Sequence, residues 1–223
     1  MNRIKLIFLS QIILFGWGCK PSDNVIPLNL KTSFFPIQID KFIIYSYEEL
    51  NHNAFDSKTD TINYWIKETI DTSFLDQEND STYRLRIDHS NDEGLNWEFQ
   101  YYAVLKEDDY GIERSDFDIK RVKLSYPVHD NKRWDINMFN NQDIQYGYYK
   151  NTDTPYQIED SLFNETVIVK LANQEDIIFT QFEEEVYARG LGLIKRKFID
   201  IETQPGKYKD GIEYTKTFLQ SNW

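Results

Sequence analysis

The sequence has one cysteine and three histidines among 223 residues. One cysteine excludes an internal disulfide. His52, His89 and His129, each of which we expect in a connecting segment, lie too far apart in the sequence to suggest a zinc site. Basic residues are also few, since 25 Lys and Arg face 37 Asp and Glu, which gives a net charge of −12. The basic surface of a nucleic-acid-binding protein is therefore missing. We expect no metal, no cofactor and no nucleic-acid partner.

Catalytic motifs are missing too. The sequence has no G-x-S-x-G nucleophile elbow and no HExxH zinc motif. The pair of glycines in Gly190-Leu191-Gly192 is too short for a phosphate-binding loop, and we expect it to bend the chain between two strands. The sequence therefore predicts a protein that is not an enzyme.

The sequence also lacks the pattern of long amphipathic helices. No stretch of more than ten residues after the N-terminal segment carries a convincing i, i+3, i+4, i+7 apolar stripe, so helix should be limited to one or two turns near Asp135–Asn141. Aromatic residues, in contrast, make up 16% of the chain, enough for a substantial core. The length favours one domain.

The N-terminus carries an export signal. Arg3 and Lys5 precede an apolar run from Leu6 to Phe15, which at ten residues is too short to cross about 30 Å of hydrocarbon. Cys19 follows a glycine at the end of this run, and it resembles the lipobox cysteine of bacterial lipoprotein precursors, which is cleaved and acylated. Lys20 after it, by the same resemblance, suggests the outer membrane.

These features divide the chain into three parts. Residues 1–18 are a lipoprotein signal peptide, and residues 19–33 are the lipidated cysteine with a flexible tether. Residues 34–223 form the folded domain. Because residues 1–18 hold two basic side chains and no carboxylate, the remainder carries a net charge of −14. Several acyl chains on Cys19, such as palmitate, would hold the protein stably at a membrane.

Alternation of apolar and polar residues dominates residues 34–223 and predicts nine or ten antiparallel strands. Its clearest part is a hairpin over residues 61–88, with turn residues at 76–81. Several strands carry bulky side chains on both faces, as Trp65 does opposite the row of Tyr64 and Ile66. The predicted fold class is all-β. Because a single open sheet would expose such residues, we expect the domain to be either barrel-like or a two-layer sandwich.

The carboxylate clusters have plain interpretations. We expect Glu183-Glu184-Glu185 to be a solvated acidic strand that sends residues 183 and 185 to one face. Glu107-Asp108-Asp109 looks like a turn, and it lacks the spacing of a calcium loop. A hydrolase that used carboxylates would need two of them in one cleft, about 5–10 Å apart.

Most aromatic residues should belong to the core. Trp65 and Tyr149 are exceptions, because both fall on faces that are otherwise polar. A stacking surface for sugar rings or the lining of an apolar pocket would use such positions. These two residues are the candidate ligand contacts.

Four segments of the mature chain resemble a family of lipoproteins from Bacteroidetes-type bacteria that has no established activity. They are Phe34-Phe35-Pro36 leading to Tyr45, the run Arg121–Val128, the run Lys132–Asn137, and the run Glu185–Lys195. The resemblance implies an exported, lipid-anchored protein in the outer membrane, facing the periplasm or the cell surface. It supplies no catalytic residue.

Two functions of different class fit these observations. The first is a non-enzymatic envelope lipoprotein that binds a protein, a glycan or another envelope component. The second is a calycin-like or lipoprotein-carrier-like barrel that encloses an apolar ligand. Interior volume separates them, since a filled interior favours the first and an open apolar cavity above roughly 300 Å³ favours the second.

Overall fold

The computed structural model describes residues 34–204 and 206–223, without the side chains of residues 172–175. The predicted signal peptide, Cys19 and the tether lie outside the described residues. The described residues form twelve strands: β1 (Phe42–Asn53), β2 (Lys58–Leu75), β3 (Ser81–Ser90), β4 (Glu98–Glu107), β5 (Gly111–Asp116), β6 (Ile119–Ser125), β7 (Arg133–Asp135), β8 (Tyr146–Ile158), β9 (Ser161–Glu175), β10 (Phe179–Ala188), β11 (Gly192–Glu202) and β12 (Asp210–Ser221).

All twelve strands belong to one antiparallel sheet with the order β6-β5-β4-β3-β2-β1-β12-β11-β10-β9-β8-β7. Two six-stranded meanders are thus joined where the first and last strands pair, with Tyr47 opposite Lys216. The sheet curls into a nearly closed barrel. The predicted all-β antiparallel class is confirmed, and the barrel replaces the sandwich alternative.

A seam between the two outermost strands brings the barrel close to closure. The Val122 amide donates to the Ile136 carbonyl at 2.9 Å, and Trp134 Nε1 donates to the Val122 carbonyl at 3.0 Å. The Tyr149 hydroxyl accepts from the Ser125 amide at 2.7 Å and donates to the Ser125 carbonyl at 2.9 Å. Side-chain hydrogen bonds therefore supplement the backbone hydrogen bonds of β7, which are few because this strand has only three residues.

Several local predictions can be compared with these strands. The hairpin over residues 61–88 is confirmed by the pairing of β2 with β3, and the bend at Gly190 and Gly192 is confirmed by their positive φ angles of 75° and 105°. The helical turns near Asp135–Asn141 were a wrong prediction. The chain there ends β7 and enters a turn, in which the Asp135 carboxylate accepts from the Asn137 and Gln145 amides.

One end of the barrel is covered by the segment before β1 and by the C-terminus. Phe34 is fully buried, and Phe35, Ile37 and Trp223 pack against the same core. The Phe35 ring lies 6.0 Å from that of Tyr187, inside the barrel. We call this the covered end; the opposite end is where β1 finishes and β12 begins.

Candidate functional site

The barrel interior holds a cavity of about 430 Å³. Part of its wall is aliphatic and comes from Ile66, Ile70, Leu85, Ile87 and Leu105. Charged groups and tyrosines lie among these side chains, as Glu68 does between Ile66 and Ile70 in β2. The volume lies in the range that is usual for small-molecule sites.

One charged group is centred on Glu68 of β2. Its Oε1 atom accepts from Lys216 Nζ at 2.7 Å and from Arg114 Nη1 at 3.0 Å. Arg114 also binds Asp116 through two nitrogens, at 2.8 and 2.9 Å. Burial alone would raise the pKa of Glu68, but the Arg114 and Lys216 charges outweigh it and lower the pKa to about 2. Glu68 is therefore an anion held by two cations.

A second charged group surrounds Glu185 of β10. Its carboxylate accepts from Lys123 Nζ at 2.5 Å and from the Tyr187 hydroxyl at 2.6 Å. Arg196 lies beside it and donates to Glu183 at 2.6 Å. Burial favours a raised pKa, yet the Lys123 and Arg196 charges prevail and lower the pKa of Glu185 to about 2. These bonds tie β6, β10 and β11 together across the interior.

Aromatic side chains gather beyond the charged groups, toward the end opposite the covered one. Tyr47 has its ring 4.7 Å from that of Tyr64 and 5.2 Å from that of Tyr214, and His89 stacks on Tyr64 at 4.4 Å. All four are half-buried and line the cavity. We call these four residues the aromatic belt. Flat ring faces at this position can hold a sugar or an aromatic ring.

The chemistry of these carboxylates suits binding better than proton transfer. Glu68, Asp116 and Glu185 share one cavity, as a carboxylate-based hydrolase would require. A general acid, however, needs a raised pKa, and the pKa values of Glu68 and Glu185 are lowered to about 2. At neutral pH these two groups remain ionised and paired.

The predicted contact residues Trp65 and Tyr149 are placed elsewhere, since neither lines this cavity. Tyr149 is fully buried, its ring 4.6 Å from that of Trp134, and its hydroxyl belongs to the barrel seam. Trp65 is half-buried, and both Trp65 and Trp97 lie 3.2 Å from where a Cβ atom on Gly94 would be. A ligand contact at these two residues stays a prediction. Cys19 lies outside the described residues.

Two sequence interpretations need correction. Glu183 and Glu185 share a face as predicted, but this face is the interior, where they are 5% and 1% exposed, so the strand is not a solvated acidic one. His52 and His89 were expected in connecting segments, yet they belong to β1 and β3. His52 bonds to Thr59 and to Glu213, each at 2.8 Å.

The two acidic turns are connections, as expected. In 107–109, the Asp108 carboxylate accepts from the Tyr110 and Gly111 amides. Asp76, Glu78 and Asp80 of the β2–β3 turn come close enough to suggest a cation site. The Lys106 ammonium already occupies the space between them, at 2.8, 3.3 and 2.8 Å. This cluster is a lysine-centred ion-pair network.

Sequence reasoning missed the charged residues that line the cavity. Their positions in the strands carried a signal. Arg114, Lys123 and Lys216 lie in β5, β6 and β12, and every second residue of a strand lies on the same face of the sheet. A charged residue in such a row normally indicates the solvent face. Only the three-dimensional pairing with Glu68 and Glu185 shows that these rows face the interior.

Among the described residues there is no helix that is long and apolar enough to cross a membrane. No family model matches the sequence, and no curated protein matches it. A solved structure of a candidate exported protein with a YmcC-like fold from Bacteroides fragilis is similar, with 12% identity and a TM-score of 0.44 over 86% of this chain and 100% of that one. A candidate lipoprotein from Parabacteroides distasonis is similar at 10% identity and a TM-score of 0.40, over 86% and 99% of the two chains. Likeness at this level is no guide to function.

Proposed function

We propose that this protein is an exported envelope lipoprotein, held at the outer membrane by acyl chains on Cys19, whose barrel binds a small ligand in its interior without transforming it. The cavity of about 430 Å³ carries the binding part of the proposal. The basic residues, short apolar run and cysteine at the N-terminus support the anchoring part. The resemblance to lipoproteins of Bacteroidetes-type bacteria supports the same location.

The cavity favours the carrier hypothesis over a filled partner-binding module, but it changes the expected ligand. Its volume exceeds roughly 300 Å³, the lower end of the range usual for cavities that hold a small molecule. Its wall is not simply apolar, because the Glu68 and Glu185 groups and the aromatic belt account for much of it. A ligand with both polar and apolar parts fits this wall better than a hydrocarbon.

The anchor is tested by Cys19→Ser in the full chain. We expect the variant to lose acylation and to leave the membrane fraction, because a serine cannot carry the thioether-linked lipid. Cell fractionation with detection of the protein in each fraction measures this. Unchanged membrane retention of the variant would contradict the anchor.

Interior binding is tested with N-phenyl-1-naphthylamine, an uncharged fluorophore with a phenyl and a naphthyl group, on residues 20–223. We expect one probe to bind per chain. We also expect at least a tenfold loss of affinity in Ile87→Trp, because Ile87 is a buried residue of the cavity wall and an indole ring in its place would fill the cavity. Leu95→Trp is the matched control, since Leu95 is exposed in the β3–β4 loop. It should bind as the unaltered chain does.

The same assay includes Trp65→Ala. If this variant weakens binding while Ile87→Trp does not, the ligand lies on the outer face and interior binding is refuted. Circular dichroism of each variant verifies that the β fold is retained.

A further inference from the structure

The cavity is lined by more positive than negative side chains. Among the described residues that line it, six are Lys or Arg and three are Asp or Glu. The whole chain, in contrast, has a net charge of −12. We infer that the interior ligand is an organic anion, whose carboxylate, phosphate or sulfonate group faces these basic side chains and whose ring lies along the aromatic belt. This inference deepens the proposed function and rests on it.

Hydrogen-bonding capacity points to the same ligand. A lysine ammonium has three donors, and Lys216 gives one to Glu68 while Lys123 gives one to Glu185. The acceptors of these two carboxylates are already shared among several donors: Glu68 Oε1 also takes Arg114, and Glu185 also takes Tyr187. The interior therefore has a surplus of donors, which an acceptor-rich anionic group would satisfy.

Arg121 of β6 and Lys41 are the two lining cations that no described carboxylate pairs with, and of these Arg121 has a buried donor without an acceptor. Its Nη2 atom donates to Gln142 at 3.3 Å, and no ion pair joins its guanidinium to a carboxylate of the described residues. Its Nε atom is buried and finds no acceptor in the described part of the chain. A buried donor of a charged group without an acceptor is costly, so a ligand acceptor at this position would be strongly favoured.

Two titratable groups of the aromatic belt are uncharged at neutral pH. Burial lowers the pKa of His89 first, and the positive charge of Lys216 lowers it further. Burial raises the pKa of Tyr214 to about 12, with Glu183 and Glu185 opposed by Arg196 and Arg121. At neutral pH, His89 is thus uncharged and Tyr214 is a neutral phenol. The belt offers neutral ring faces next to cationic groups, as an anion attached to a ring requires.

The test compares two probes that differ by one acidic group. 8-Anilino-1-naphthalenesulfonate has the rings of N-phenyl-1-naphthylamine plus a sulfonate. We expect the sulfonate probe to bind the unaltered chain about tenfold more tightly, because a hydrogen bond to a charged group is stronger than one to a neutral group. Fluorescence titration of residues 20–223 measures both affinities. This comparison needs no variant, so it does not depend on how a substitution folds.

Arg121→Gln then locates the acidic group. We expect about a tenfold weaker affinity for the sulfonate probe and an affinity within twofold for the uncharged probe. Arg121→Lys keeps the charge and should retain most of the sulfonate affinity. Lys120→Gln is the matched control, because Lys120 is the preceding residue of the same strand, 43% exposed and paired with Glu113. It removes one positive charge without changing the cavity wall, so both affinities should persist.

The outcomes separate this inference from the proposed function. Equal affinities for the two probes, with no effect of Arg121→Gln, would refute an anionic ligand and leave interior binding intact. Sulfonate binding that survives Ile87→Trp would place the anion outside the barrel and also refute the inference. If neither probe binds, the proposed function itself fails.

Discussion

Adjacent residues of one acidic run have opposite environments in this protein. Glu185 is 1% exposed and bonded to Lys123 and Tyr187, whereas Glu184 lies on the other face of β10 and pairs with Lys170. A buried carboxylate leaves its cationic partners uncompensated when it is removed, while a half-buried surface pair contributes little. Glu184 is therefore a suitable control for substitutions of Glu185.

We predict that Glu185→Gln lowers the free energy of unfolding by about 3–5 kcal/mol, because Lys123 would be left buried beside an uncharged amide. Glu184→Gln should cost about 1 kcal/mol or less. Urea unfolding followed by circular dichroism measures both. Equal losses for the two variants would mean that the Glu185 group is more solvated than its burial indicates.

Stability should also depend on pH through Glu68 and Glu185. The pKa of each is lowered to about 2 in the folded protein, from an ordinary value of 4.5. A carboxyl with a lowered folded pKa stabilises the fold above its unfolded pKa, and this stabilisation disappears as the pH falls toward the folded value. It amounts to roughly 3 kcal/mol for each group.

We therefore predict that the urea midpoint decreases steadily from pH 5 to pH 3. Glu185→Gln should show a shallower decrease over the same interval, because one of the two groups no longer titrates. Urea titrations at fixed pH values measure this. Identical pH slopes for the variant and the unaltered chain would contradict a lowered pKa at Glu185.

At the scale of elements, the β5–β6 hairpin depends on one close backbone approach. A Cβ atom on Gly111 would lie 2.0 Å from the Leu124 carbonyl oxygen, where Gly111 pairs with Ser125. No side chain can occupy that space unless the strands separate. The hairpin matters for the site because β5 carries Arg114 and β6 carries Lys123.

We predict that Gly111→Ala lowers the free energy of unfolding by about 3 kcal/mol, since the clash is with backbone and cannot be relieved by a rotamer change. Gly190→Ala is the control, because nothing lies within 4 Å of its added Cβ and only its positive φ of 75° is unfavourable. It should cost about 1 kcal/mol. Thermal and urea unfolding compare them, and a smaller loss for Gly111→Ala than for Gly190→Ala would refute the close approach.

At the scale of the whole molecule, the barrel depends on its seam. The ladder leaves β6 and β7 as the two edges of the sheet, and Tyr149 joins β8 to β6 by two hydrogen bonds to Ser125. An open seam would expose both edges and the interior charges to water. The seam therefore sustains the cavity as well as the fold.

We predict that Tyr149→Phe destabilises the protein by about 2–3 kcal/mol, because the Ser125 amide and carbonyl would lose their partner. Tyr148→Phe should change stability by less than about 0.5 kcal/mol, since this neighbour in β8 is 38% exposed. Urea unfolding measures both, and amide hydrogen exchange at Ser125 should accelerate only in Tyr149→Phe. An unchanged exchange rate there would argue that β6 is held by other contacts.

Much of the strand pattern could be predicted from alternation, because a half-buried strand alternates whatever its partners are. The hairpin over residues 61–88 is an example. The short strands β5 and β7 were missed, since β5 is charged along much of its length and β7 has only three residues. The charged interior of the barrel was missed for a related reason. Charged residues such as Glu183, Glu185 and Lys216 normally indicate a solvent-exposed face, and their burial is possible because ion-pair partners compensate for the lost hydration.

The sequence by itself determined the all-β class, the antiparallel hairpins and the expectation of an acylated Cys19, because these depend on local alternation, turn residues and a short N-terminal pattern. Only the tertiary structure decided that the sheet curls into a nearly closed barrel and that a surplus of cations lines its cavity. Glu68 and Lys216 are 148 residues apart in the chain, and Lys123 and Glu185 are 62 apart. Charges separated in this way compensate one another only after the sheet has curled, so no local pattern could indicate their pairing.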